Sequence, residues 1–198
     1  WRGRVFALAD GQDPSFKADA ETFLGYFPKA YTPVVLAPEA GAKGINQQVR
    51  ETLKEGVWIF SYFGHGSIKQ LGKDTLFEVA DAAALDNSPY LPLMINITCL
   101  AGLFTHPAQA SLSEAMLWNP KGGAIAVLAA TSLTLPEDQA LLSKALVEAM
   151  FARPEATLGE IVLQAQRAMP VDSPSAREVL DTFLLFGDPA LRLVRPTP

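Results

Sequence analysis

The sequence predicts an α/β fold: a doubly wound, mostly parallel sheet with helices on both faces. Three observations lead there. Short apolar runs alternate along the 198 residues with longer segments of helical period. The short runs are apolar at nearly every position, as befits strands buried on both faces rather than strands with one wet face. Gly, Pro and Asp punctuate the junctions between them.

Taken in order, residues 4–9 (R-V-F-A-L-A) form the first strand, ended by Asp10-Gly11. Asp13 then reads as a helix N-cap with Pro14 at the first helical position, and Phe16, Ala20, Phe23, Leu24 and Phe27 follow on one face. Residues 32–37 (T-P-V-V-L-A) are the second strand. Ile45, Val49 and Leu53 mark the next helix, closed by Gly56. The third strand, 57–63 (V-W-I-F-S-Y-F), stops at Gly64-His65-Gly66-Ser67. A helix-like stretch at 76–85 precedes Pro92 and the fourth strand, 93–98, which runs directly into Cys99. Ser111 and Glu114 are spaced as a capping box for a helix to Trp118, and residues 123–130 (G-A-I-A-V-L-A-A) are the fifth strand. Pro136 opens a helix carrying Leu142, Leu146, Ala149 and Met150 on one face, and Thr157 with Glu160 caps another. A last helix over 176–186 and a short terminal strand over 191–194 complete the expected order.

Composition narrows the chemistry. Half of the residues are hydrophobic (49%) and the net charge is only −5, which excludes a disordered chain and fits one domain over residues 1–198. A single cysteine cannot make an internal disulfide, and with two histidines it leaves too few ligands for a Cys/His metal cluster, so no metal site is expected. A pI near 5.0 without a Lys/Arg cluster argues against a nucleic-acid partner. The longest apolar run, 124–130, is far short of the ~20 residues a membrane-spanning helix needs. The chain opens Trp1-Arg2-Gly3-Arg4 without methionine, the expectation being a piece processed or excised from a longer protein, with flanking regions of that parent as partners.

Ligands of doubly wound sheets bind outside the carboxyl ends of the strands, and that rule singles out few residues here. His65 follows the third strand and Cys99 ends the fourth. If those strands are neighbours, a spacing of ~4.8 Å brings both to one edge. A thiolate is a nucleophile, and a nearby imidazole activates it or protonates its leaving group. Cys99, set in I-N-I-T-C-L-A-G-L-F, reads either as a small buried hydrophobe or as that nucleophile. The N–H groups of Gly66 and Cys99 are candidates for an oxyanion hole.

Tyr62-Phe63-Gly64-His65-Gly66-Ser67 resembles the histidine motif of the gingipain family of cysteine peptidases, which have a caspase-like fold. Asn96-Ile97-Thr98-Cys99-Leu100-Ala101-Gly102-Leu103-Phe104 resembles that family's cysteine motif, and Gly122 to Val127, Ala130-Thr131-Ser132 and Gly187-Asp188-Pro189 continue the likeness. The resemblance implies that Cys99 is the nucleophile, His65 its acid/base partner and a peptide or protein the substrate. It implies that Thr131, Ser132 and Leu133 line the pocket for the side chain before the scissile bond. It makes Asp10 or Asp13 the candidate third, acidic member, and also candidate substrate contacts that would suit a basic residue before the cleaved bond. Asp10 also reads as the start of a turn and Asp13 as a helix cap. No cofactor is expected. Some relatives hold calcium, for which Asp74, Glu78 and Asp81 are candidates and equally a solvated helix face. Secretion or cell-surface display is suggested by the resemblance alone. His106, in a His-Pro turn, is expected to be incidental. The leading expectation is a cysteine endopeptidase working through a thioester. A catalytically silent scaffold that binds peptides or protein partners, and a transpeptidase using the same dyad, are the alternatives.

Overall fold

The computed structural model describes residues 1–196. Its elements run β1 (Arg4–Ala9), α1 (Pro14–Gly25), β2 (Thr32–Leu36), α2 (Ile45–Glu55), β3 (Ile59–Phe63), β4 (Gln70–Leu71), β5 (Phe77–Glu78), α3 (Val79–Ala84), β6 (Leu93–Ile97), α4 (Leu112–Trp118), β7 (Ala126–Ala130), α5 (Pro136–Ala152), α6 (Leu158–Arg167), α7 (Pro174–Thr182) and β8 (Phe183–Phe186). Six strands form the main sheet in the order β2-β1-β3-β6-β7-β8, while β4 and β5 make a separate hairpin. The first five strands of that sheet are parallel and β8 is antiparallel to β7. The chain moves outward in opposite directions from β1 and β3, so the strand order reverses between them.

The period-2 alternation of side chains explains the all-apolar strands. Val5, Ala7 and Ala9 of β1 face one core with Ile59, Ile95, Ile97 and Leu128, covered by α1, α5, α6 and α7 through residues such as Phe23, Leu146, Ile161 and Val179. Phe6 and Leu8 face the other core with Phe60, Tyr62, Met94 and Val127, under α2, α3 and α4 through Val49, Ala82 and Met116. Both faces of every central strand are therefore dry, and the doubly wound arrangement follows. Helix starts come out where cap chemistry placed them: Asp13 accepts from Ser15 N at 2.8 Å, and Ser111/Glu114 and Thr157/Glu160 form reciprocal capping boxes.

Four expectations change. Residues 176–186 are not one helix, because α7 stops at Thr182 and 183–186 pair with β7 as an antiparallel edge strand. Among the described residues, 191–194 have no strand partner. The stretch at 76–85 begins with β5 and becomes helical only at Val79. The first helix ends at Gly25, short of Phe27. The first change follows because a four-residue apolar run such as F-L-L-F has no period of its own, so neighbours decide its conformation.

Candidate active site

Phe63 pairs with Ile97 across β3 and β6, and two residues further along each strand stand His65 and Cys99. Both lie past the carboxyl ends of adjacent parallel strands, and the loops that carry them touch. A Cβ built on Gly66 would lie 2.5 Å from Thr98 Oγ1 and 2.8 Å from the Cys99 carbonyl oxygen. Only a residue without a side chain lets the two loops meet so closely. Thr98 Oγ1 donates to the Gly64 carbonyl at 2.6 Å, a second tie between them.

The His65 loop is held from three directions. Asp10, at the carboxyl end of β1 and only 2% exposed, accepts the backbone N–H of His65 at 3.3 Å and that of Gln12 at 3.1 Å. Tyr62 donates its hydroxyl to the His65 carbonyl at 2.6 Å. Burial, with the Asp10 charge beside it, pushes the Tyr62 phenol well above its ordinary range, so it stays a neutral donor. The β4–β5 hairpin adds Gly72 N to His65 O at 2.8 Å and Ser67 N to Gln70 O at 2.9 Å. Gly64 sits at φ 152°, where its missing Cβ would otherwise strike Asp10 and Tyr62. The His65 ring itself is exposed and meets the edge of Phe16 at 5.2 Å between centroids.

Cys99 is half-buried, and its thiol donates to the Thr134 carbonyl at 3.4 Å. Leu100 adopts φ 61°, the left-handed conformation that costs an L-residue ~1–2 kcal/mol and turns the chain sharply after the cysteine. Hydrogen bonds from Leu100 N to Ser132 O at 3.1 Å and from Gly102 N to Ala130 O at 2.9 Å fasten that turn to the end of β7. Among the described residues no acceptor takes the N–H of Gly66 or of Cys99.

Four strand ends thus contribute, and the sequence-derived candidates distribute unevenly over them. Thr131 and Ser132 lie half-buried beside the Cys99 turn, with Leu133 exposed next to them. Asp10 reaches the backbone of His65, not its ring. Asp13 is exposed as the cap of α1; the Ser15 N–H holds its carboxyl below the usual range, with a smaller contribution from the nearby His65. Asp19 is pushed up by burial and then by repulsion from Asp13 and Glu137, so acidic groups flank this end of the sheet.

The candidate calcium ligands do not fit such an ion. Asp81 is committed to Arg50, Asn46 and the Glu78 N–H, while Asp74 accepts from Gln12 and Gly41. Among the described residues no three His, Cys, Asp or Glu side chains are grouped to hold a metal. Among the described residues His106 accepts only from Ala108 N, two residues on. No helix among the described residues is long and apolar enough to cross a membrane. Sequence reasoning missed Phe16, read only as core, and Thr134 with Gln139, which no spacing connects to Cys99.

The model of peptidase family C25 matches residues 1–194. No curated protein sequence matches. Among solved structures, the Arg-specific cysteine proteinase gingipain R is similar at a TM-score of 0.80 and 19% identity, over 96% of this chain and 47% of that one. The complex of the Porphyromonas gingivalis RgpB pro- and mature domains is similar at 0.78 and 17%, over 98% and 50%. The Saccharomyces cerevisiae separase–securin complex is similar at 0.60 and 14%, over 94% and 12%. The chain therefore spans about half the length of the two gingipain structures.

Proposed function

Because the chain belongs to peptidase family C25, we propose that it is the catalytic unit of a cysteine endopeptidase in which Cys99 and His65 work as a dyad. The observation that carries this reading is the level placement of the two residues past adjoining strands, with their loops in contact at Gly66.

The steps follow from the groups present. The Cys99 thiol leaves the Thr134 carbonyl and gives its proton to His65 as Sγ attacks the scissile carbonyl carbon. Negative charge on the former carbonyl oxygen is met by the unspent N–H groups of Gly66 and Cys99, whose backbone is already fixed and needs no reorganisation. The C–N bond then breaks as His65 passes its proton to the leaving amine, which leaves a thioester on Cys99. Water, deprotonated by His65, attacks that thioester; the C–S bond breaks, the acid is released, and His65 returns the proton to Cys99 Sγ. Asp10 positions His65 through the backbone, leaving the exposed ring free to turn toward either partner. In the resting arrangement the thiol bonds Thr134, and catalytic hydrogen bonds of this kind tighten when substrate arrives.

The substrate in this reading is a peptide or protein running past Thr131, Ser132 and Leu133. A flanking region of the parent chain is a natural first occupant, since one matched gingipain structure is of a pro-domain with a mature domain. The test is Cys99→Ala assayed on a fluorogenic peptide library. Loss of all turnover is expected, and turnover that persists overturns the reading. Adding an amine nucleophile separates the two fates of the thioester: hydrolysis is expected, and a dominant amide product would make the enzyme a transpeptidase.

A further inference from the structure

Gln139 stands out on α5. It lies in the first turn, 3% exposed, on the same helix as the buried Leu142, Ala145, Leu146 and Ala149. A buried amide is costly unless its donors are used. Its Nε2 donates to Thr134 twice over, to the hydroxyl oxygen and, at 3.5 Å, to the carbonyl oxygen. Thr134 is itself 6% exposed, and its carbonyl is the acceptor for Cys99 Sγ. The segment after β7 is thus fastened to two consecutive residues of the cysteine turn, through Ser132 O to Leu100 N and through Thr134 O to the thiol.

We propose that Gln139 is a positioning residue for Cys99: by fixing both oxygens of Thr134 it holds the carbonyl against the thiol until a substrate displaces it. To attack a substrate carbonyl the sulfur must first let go of that contact, so whatever fixes the Thr134 carbonyl also sets how readily the thiol is released. A thiol held in this way is shielded from electrophiles that lack the binding energy to move the segment. This deepens the proposed function and rests on Cys99 being its nucleophile.

The chain's single cysteine makes the test clean. Gln139→Met keeps the length and apolar fit of the side chain and removes both donors. In that variant the infrared S–H stretching band, which belongs to Cys99 alone, should move to higher frequency as its acceptor is released. Alkylation by iodoacetamide should quicken about two- to fivefold, the scale of one weak hydrogen bond. Thr134→Val, which removes the hydroxyl but keeps the carbonyl contact, should shift both readings in the same direction by less. An S–H band unmoved in both variants overturns the proposal. So does faster alkylation without a band shift, which is the mark of a loop merely loosened. Failure of the underlying dyad reading shows separately, as peptide hydrolysis that survives Cys99→Ala while the band and the alkylation rates still respond to Gln139.

Discussion

Replacing Gly66 with alanine tests the contact on which the site is built. The new Cβ would sit 2.5 Å from Thr98 Oγ1, 2.7 Å from Thr98 Cγ2 and 2.8 Å from the Cys99 carbonyl oxygen. Comfortable carbon contacts begin at ~3.5 Å, so the loops must part by roughly 1 Å. The Cys99 carbonyl cannot yield alone, because Ala101 N already donates to it at 2.7 Å. Overpacking of this kind costs ~1–3 kcal/mol. Against the ~5–15 kcal/mol stability of an ordinary domain, that leaves well over nine-tenths of the molecules folded at 25 °C. Activity should suffer far more. Moving one oxyanion donor out of reach costs ~10²- to 10³-fold in kcat. The measurement is kcat on a cleaved library peptide, alongside thermal unfolding. Gly25→Ala is the control, because its Cβ meets nothing within 4 Å. A Gly66→Ala enzyme within threefold of the parent would refute both the contact argument and the assignment of the Gly66 amide.

Asp10→Ala strands two backbone donors, at His65 and Gln12, and should cost ~2–4 kcal/mol in urea unfolding together with about a hundredfold in turnover. Asp10→Asn, which keeps one acceptor oxygen, should recover part of both. Burial, and then Asp13 and Glu137, push the Asp19 carboxyl above its ordinary 3.8, so its contribution favours the fold below that pH and is lost as pH rises through the raised folded value. Asp19→Asn should therefore raise the melting temperature at pH 7, and that gain should vanish below pH 3.8; a gain that persists in acid contradicts the assignment. Asn96 is fully buried beside Tyr62 and Ala129, with neither end of its amide partnered among the described residues. Asn96→Val should stabilise the protein by ~1–3 kcal/mol in urea titration, and destabilisation would show that the amide has a partner.

Much of this was legible in the residues because each signal was local. All-apolar strands, the Asp13, Ser111 and Thr157 caps and the strand-end positions of His65 and Cys99 depend on neighbours within a few places in the chain. The likeness of two short motifs to the gingipain family agreed with the family to which the chain belongs. What stayed hidden was set by approach in space. Nothing around Phe183 tells an apolar run that it will pair with Ala130 instead of extending α7. The glycines flanking His65 admit Asp10, Tyr62, Thr98 and the Cys99 backbone, approaches that no local signal encodes. Thr134 and Gln139 reach Cys99 from more than 30 residues away through one carbonyl. No sequence period encodes such a contact.

The pairing of Phe63 with Ile97 also has a temporal side. A slip of one residue between those strands would displace His65 by ~3.3 Å relative to Cys99 and turn each side chain to the opposite face. With the proposed dyad, cleavage would require that the sheet has closed in its native register, which parallel strands separated by long crossovers achieve slowly. A polypeptide still emerging during synthesis carries its cysteine well before residues 134 to 139 exist to cover it. Until then the thiol is present without its site, and proteolytic competence, on the proposed dyad, would arrive with the last steps of folding rather than with the cysteine itself.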